Sequence, residues 1–119
     1  SKSSAFNFLF AIFSIIYDSI YSNIFNNFNK EISLDEVAKI ACMNTSAFSR
    51  FFKKIHRKTF SRYLAEIRIG YACKLLQEEK YSITVMCYES GYNNISNFNR
   101  QFKLIKNCTP SSFVKQYRK

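Results

Sequence analysis

The chain has 119 residues, with 13 Phe and 8 Tyr but only two Gly and one Pro. So few breakers, and no strand-like alternation bounded by turn residues, exclude a turn-rich β fold and leave helices joined by short turns, in one compact domain or two small lobes. The net charge is +10, 17 of the 18 Lys and Arg lie from Lys30 onward, and no Asp or Glu follows Glu89, which predicts a polyanionic partner: nucleic acid first, with an anionic membrane surface as its rival.

Residues 1–15 form an apolar extension led by Ala5-Phe6-Asn7-Phe8-Leu9-Phe10-Ala11-Ile12. Asn7 interrupts it and no small-residue cleavage site follows, so it does not read as a signal peptide. It is also too short for a membrane span. The chain begins at Ser1 rather than Met and reads as a fragment or a trimmed piece. A first lobe spans 16–58. Ile16, Ile20, Ile24 and Phe28 recur every four residues, which predicts its first helix. Ser33-Leu34-Asp35-Glu36 is a capping box, and Leu34, Val37, Ala38 and Ala41 give the next, short helix its apolar face. Cys42-Met43-Asn44 is a tight turn whose Asn44 caps a third helix, through about Ile55. Helix, short turn, helix is a helix-turn-helix.

Thr59 opens a linker helix over 59–80, ending near Glu79, with an apolar stripe of Phe60, Tyr63, Leu64, Ile67, Tyr71, Leu75 and Leu76. Near 20 residues give about 30 Å, close to one turn of B-DNA. A second lobe over 81–119 repeats the first. Ser82 answers Ser33, and Gly91-Tyr92 answers Cys42-Met43, at an offset of 49; one extra residue at Asn93-Asn94 makes it 50 thereafter. Asn94 is the cap matching Asn44, and Pro110 opens a last helix to about Tyr117.

The repeat is sharpest in Phe48-Ser49-Arg50-Phe51-Phe52-Lys53 and Phe98-Asn99-Arg100-Gln101-Phe102-Lys103. On a helix, Phe48, Phe52 and Ile55 share one face, as do Phe98, Phe102 and Ile105. Ser46, Ser49, Arg50, Lys53 and Arg57 oppose the first set, and Ser96, Asn99, Arg100 and Lys103 oppose the second. Each copy thus has an aromatic anchor behind and a basic, hydrogen-bonding row without carboxylates in front. Such a row suits a major groove: Arg, Asn and Ser for base edges, Lys and Arg for phosphates. One amphipathic helix with a solvated cationic face would be ordinary, but two copies at one spacing mark one supersecondary unit used twice.

The cysteines at 42, 73, 87 and 108 form no C-x-x-C pair and His56 is the only histidine, so no metal, cofactor or disulfide framework is expected. Cys42, Cys73 and Cys87 read as small apolar core residues in a reducing, cytoplasmic compartment. An enzyme is not expected: paired carboxylates, a Gly-rich phosphate loop and a Ser/His/Asp set are all missing.

These motifs resemble the AraC/XylS family of bacterial transcription regulators over about residues 16–119. The carriers are Ser33 to Ala38, Phe48 to Lys54, Phe60 to Leu64 with Arg68-Ile69, Glu89 to Tyr92, Ser96 to Lys103, and Thr109 to Phe113. The resemblance implies an all-α fold of about seven helices, in two helix-turn-helix lobes joined by a long linker helix. It implies a sequence-specific duplex DNA-binding domain whose lobes insert recognition helices into successive major-groove segments. Carried over by position, the base-facing residues are Thr45, Ser46, Ser49 and Arg50, then Ile95, Ser96, Asn97, Asn99 and Arg100. Lys53, Lys54, Arg57, Lys103 and Lys106 are phosphate candidates. Arg68 takes a position that is more structural than base-reading in the family.

Arg57 stands where the family usually has Gly, and a positive φ there costs Arg about 1 kcal/mol. Asn107, at the matching place, tolerates that conformation better. Ile95 replaces a polar residue, leaving it a thymine methyl to touch or nothing. The Asn-rich second lobe resembles regulators of the Bacteroidetes type, whose sensor is often a cupin-like barrel, and residues 1–15 read as the stub of such a sensing or dimerisation domain. RNA polymerase is a candidate partner. Two lobes suffice for a specific monomer, while the apolar 5–16 stretch also suits pairing with a second copy. The alternative function is a cationic helical module that binds an anionic surface or acidic protein without sequence selection; the Asn and Ser in both front rows argue against it.

Overall fold

A computed structural model describes residues 2–78 and 81–117. The ends of the linker-helix reading, at Glu79 and Lys80, and the basic terminus at Arg118 and Lys119 lie outside the described residues, as does Ser1. The described chain forms seven helices: α1 (Lys2–Asn27), α2 (Leu34–Ile40), α3 (Thr45–His56), α4 (Phe60–Gln77), α5 (Ile83–Glu89), α6 (Ile95–Lys106) and α7 (Pro110–Tyr117). They divide into two compact units, one of residues 1–27 with 32–60 and one of 28–31 with 61–119. By this division all of the long helix α4 except Phe60 falls in the second unit.

In the first unit, Ile20, Ile24, Val37, Ala38, Phe48, Phe52 and Phe60 are buried. The Phe48, Phe52 and Phe60 rings meet at centroid distances of 5.5–6.1 Å, two of the three contacts edge-on, within the range where aromatic pairs gain over plain burial. Ile55 is a correction: it is exposed rather than part of the anchor. Position 56 supplies the third ring instead, His56 lying 4.2 Å from Phe52 by centroids. The second unit is built on Ile69, Ala72, Cys73, Leu75, Leu76, Met86, Cys87, Tyr92, Phe98, Phe102 and Phe113. The expected stripe of α4 missed Ile69, Ala72 and Cys73. The helix buries a wider arc than one stripe, while Tyr63, Ile67 and Tyr71 are only half-buried.

Both turns between the paired helices are Schellman motifs. Met43 N donates to Ala38 O and Cys42 N to Lys39 O; Tyr92 N donates to Cys87 O and Gly91 N to Tyr88 O, all at 2.9–3.1 Å. The motif requires a left-handed residue after the helix. Gly91 supplies it at φ 102°, and Cys42 supplies it at φ 59°. Cys42 is therefore not a core residue: it is exposed, held there by the turn. Cys73 and Cys87 are buried, and burial raises both thiols above their ordinary pKa.

Helix α1 departs most from expectation. It runs unbroken through position 15, so the extension and the first lobe helix are one element of 26 residues. By length and composition it is the one helix among the described residues able to cross a membrane, a length that residues 1–15 reach only together with the lobe helix that continues them. Its two halves differ, however. Ile20 and Ile24 are buried in the unit, whereas every side chain from 4 to 15 is exposed. The unpacked part is about 18 Å long at ~1.5 Å per residue, short of the ~30 Å hydrocarbon core.

Candidate nucleic-acid interface

Each recognition helix is fixed at its start by an Asn cap. Asn44 Oδ1 accepts from Ala47 N at 2.8 Å, and Asn94 Oδ1 accepts from Asn97 N at 2.9 Å. The helices before them start alike, Ser33 Oγ accepting from Glu36 N at 3.1 Å and Ser82 Oγ from Val85 N at 3.2 Å. Each recognition helix ends alike too. Arg57 and Asn107 stand at φ 62° and 63°, and their N–H groups donate to Lys53 O and Lys103 O at 2.8 Å. The left-handed turn forms with Arg in the place of Gly.

Burying Phe48 and Phe52, or Phe98 and Phe102, sets the roll of each helix. The opposite row is then presented to solvent. On α3, Ser46, Arg50, Lys53 and Lys54 are exposed and Thr45 and Ser49 half-buried; Arg57 at its cap is exposed. On α6, Ile95, Ser96, Asn99, Arg100, Lys103 and Lys106 are exposed and Asn97 is half-buried. Each row is therefore brought together on one side of its own helix.

Three contacts escaped the sequence reading. The Thr45 hydroxyl hydrogen-bonds the Asp35 carboxylate, so an acidic group from α2 stands at the start of the first front row. Arg100 Nη2 donates to Asn97 Oδ1 at 2.7 Å, which makes two candidate base readers into one paired unit. Their i, i+3 spacing was the available signal. Arg68 Nε donates to Phe28 O at 2.7 Å and Nη2 to Lys30 O at 2.9 Å, with the guanidinium 5.5 Å from the centre of the Tyr92 ring. Burial lowers its pKa. Arg68 clamps the 28–31 segment inside the second unit and leaves little of its fork for a base.

Residues 37–116 match the family described as "Helix-turn-helix domain", and the chain belongs to the AraC-type helix-turn-helix family. YdeC of Bacillus subtilis (strain 168), an uncharacterized HTH-type transcriptional regulator, is 34% identical over 86 residues, which are 72% of this chain and 30% of YdeC. The regulator AdiY of Escherichia coli (strain K12) is 26% identical over 110 residues, 92% of this chain and 43% of AdiY. The chain thus spans less than half of either relative. A Listeria innocua protein of unknown function has the same architecture at 28% identity and TM-score 0.77, covering 85% of this chain and 96% of that one. The DNA-binding domain of AdpA, a global transcriptional factor solved in complex with a target DNA, matches at TM-score 0.78 over 87% of this chain and 92% of its own. At 17% identity that likeness is one of fold.

Proposed function

We propose that the chain is the DNA-binding part of a bacterial cytoplasmic transcription regulator, reading duplex DNA with α3 and α6 each laid in a major groove. The observation that carries this is the duplicated frame. Two fully buried Phe pairs, with ring centroids 5.8 Å apart in both copies, hold an exposed Arg and Lys at the same spacing beyond an Asn cap. Arg50 and Arg100 suit guanine edges, Asn99 suits adenine, and Lys53, Lys54, Arg57, Lys103 and Lys106 suit phosphates. Thr45, Ser46, Ser49, Ile95 and Ser96 line the same rows, Ile95 as a contact for a thymine methyl.

Selection from random duplexes at two salt concentrations tests the reading. Selected sequences are expected to share two short boxes about one helical turn, ~10 base pairs, apart. Arg100→Ala is expected to lose roughly 1–3 kcal/mol and relax one base position. Salt-sensitive binding that selects nothing would instead establish the cationic module.

A second reading concerns α1. Phe6, Phe10, Phe13, Tyr17, Ile20 and Ile24 follow one another by four and three residues, the spacing of a two-helix seam. The last two are buried, and the three Phe are about two-thirds exposed. With Leu9 beside them the bare apolar area along the seam is on the order of 500 Å², as large as the biggest patch a typical monomer leaves open. We propose that a second copy covers this seam. Sedimentation equilibrium is expected to show a dimer that a Phe6→Asp, Phe10→Asp, Phe13→Asp variant loses; a monomer at all concentrations, or binding to lipid vesicles instead, overturns it.

A further inference from the structure

We infer that Asn97 reads no base itself but aims Arg100, making it a positioning residue that sets how sharply the second box is selected. The inference rests on the DNA-reading role of α6. An arginine side chain has rotamer freedom to lose when it docks on a guanine. Asn97 removes part of that freedom beforehand. Its backbone is pinned by the Asn94 cap at 2.9 Å, its side chain is half-buried, and its Oδ1 accepts from Arg100 Nη2 at 2.7 Å. An acceptor fixed at the third residue of the helix thus holds one corner of the guanidinium fork. The fork carries five N–H groups, so the remaining edge can still make the bidentate contact to guanine O6 and N7. The bond also takes one of the two lone pairs of the amide oxygen and turns that oxygen toward Arg100, away from a bidentate pairing with adenine.

The first lobe provides the contrast. Ala47 occupies the matching position, its N–H bonded to Asn44 Oδ1 at 2.8 Å, so the backbone frame is the same. A methyl group offers no acceptor, and Arg50 stands one turn on without this holder. The guanine under Arg100 is therefore selected more sharply than the one under Arg50.

Selection and competition binding with Asn97→Ala, Arg100→Ala, the double variant, Asn97→Asp and Ala47→Asn test the inference, with thermal melts to confirm folding. Asn97→Ala is expected to reduce guanine preference at the Arg100 base pair about three- to tenfold, the effect of losing one solvent-exposed hydrogen bond. The double variant is expected to discriminate no worse there than Arg100→Ala. Asn97→Asp, which keeps the acceptor, should keep the preference although overall affinity falls, and Ala47→Asn should sharpen the Arg50 box. Relaxation at a different base pair from Arg100→Ala would make Asn97 a base reader and overturn the inference, as would an unchanged selection. A parent chain that selects no sequence defeats the DNA reading itself, a separable result.

Discussion

The two helix-turn-helix units share a frame and differ, among other places, at three matched positions where the difference has structural consequences. Their aromatic anchors, Asn caps and left-handed C-caps superpose in kind and nearly in number. Yet Cys42 stands against Gly91, Ala47 against Asn97, and His56 against Lys106. The frame is thus set by what is buried and capped, and it tolerates a wrong residue in the turn. What the turn residue decides is how closely another backbone can approach. At Gly91 an added Cβ would lie 2.6 Å from Phe28 O, 2.9 Å from Arg68 Nε and 3.0 Å from Asn29 Cα. Two of those neighbours are backbone, and the third is the fork of the Arg68 clamp, so none yields cheaply.

The largest effect should come from exploiting that difference. Gly91→Ala strains a φ of 102° and collides with the 28–31 segment; a loss of about 3 kcal/mol in urea unfolding is expected. Cys42→Ala places the same side chain at the matching turn of the other unit, where a Cβ already exists, and should change stability by less than about 0.5 kcal/mol. A Gly91→Ala loss no larger than the gain from Cys42→Gly would show that the left-handed conformation, not the close approach, makes Gly91 necessary. A smaller effect of opposite sign follows at the strained positions. Cys42→Gly and Arg57→Gly should each stabilise by about 1 kcal/mol, because both relieve a left-handed residue that is not glycine. Asn107→Gly should gain less than either, since Asn tolerates that conformation.

The sequence made the repeat legible because helical periodicity, Asn and Ser caps, and turn chemistry are local signals. The order of the helices and both anchor pairs followed from them. What it hid was tertiary. Ile55 and His56 are neighbours on α3, and only the packing of α1 decides which faces inward. Cys42 looked like core by residue type, although its register with Gly91 already marked it as the left-handed turn residue. Asp35 and Thr45 lie on different helices, and the Arg68 clamp joins residues 40 and 38 positions apart, beyond the reach of any periodicity. Asn7 interrupts an apolar run without interrupting α1, because one Asn costs a helix only a few tenths of a kcal/mol.

The smallest expected effect separates the units by pH. His56 Nε2 hydrogen-bonds the Tyr21 hydroxyl, linking α3 to α1 inside the first unit. Burial, and then the nearby charge of Lys58, lower its pKa below the usual 6.5. A base whose folded pKa is depressed is taken into the fold neutral, so the unfolded chain binds the proton first as pH falls. The first unit should therefore keep full stability above pH 6.5 and lose a little as pH drops from there through the lower folded value. In the second unit the exposed Lys106 stands at the matching place instead of a histidine. Amide hydrogen exchange, corrected for its intrinsic pH dependence, is the measurement. Protection in α1 and α3 should fall between pH 7 and 5 relative to α6 and α7, and His56→Gln should flatten the difference. If both units lose protection in parallel, the acid sensitivity belongs to the whole chain and not to the Tyr21–His56 link.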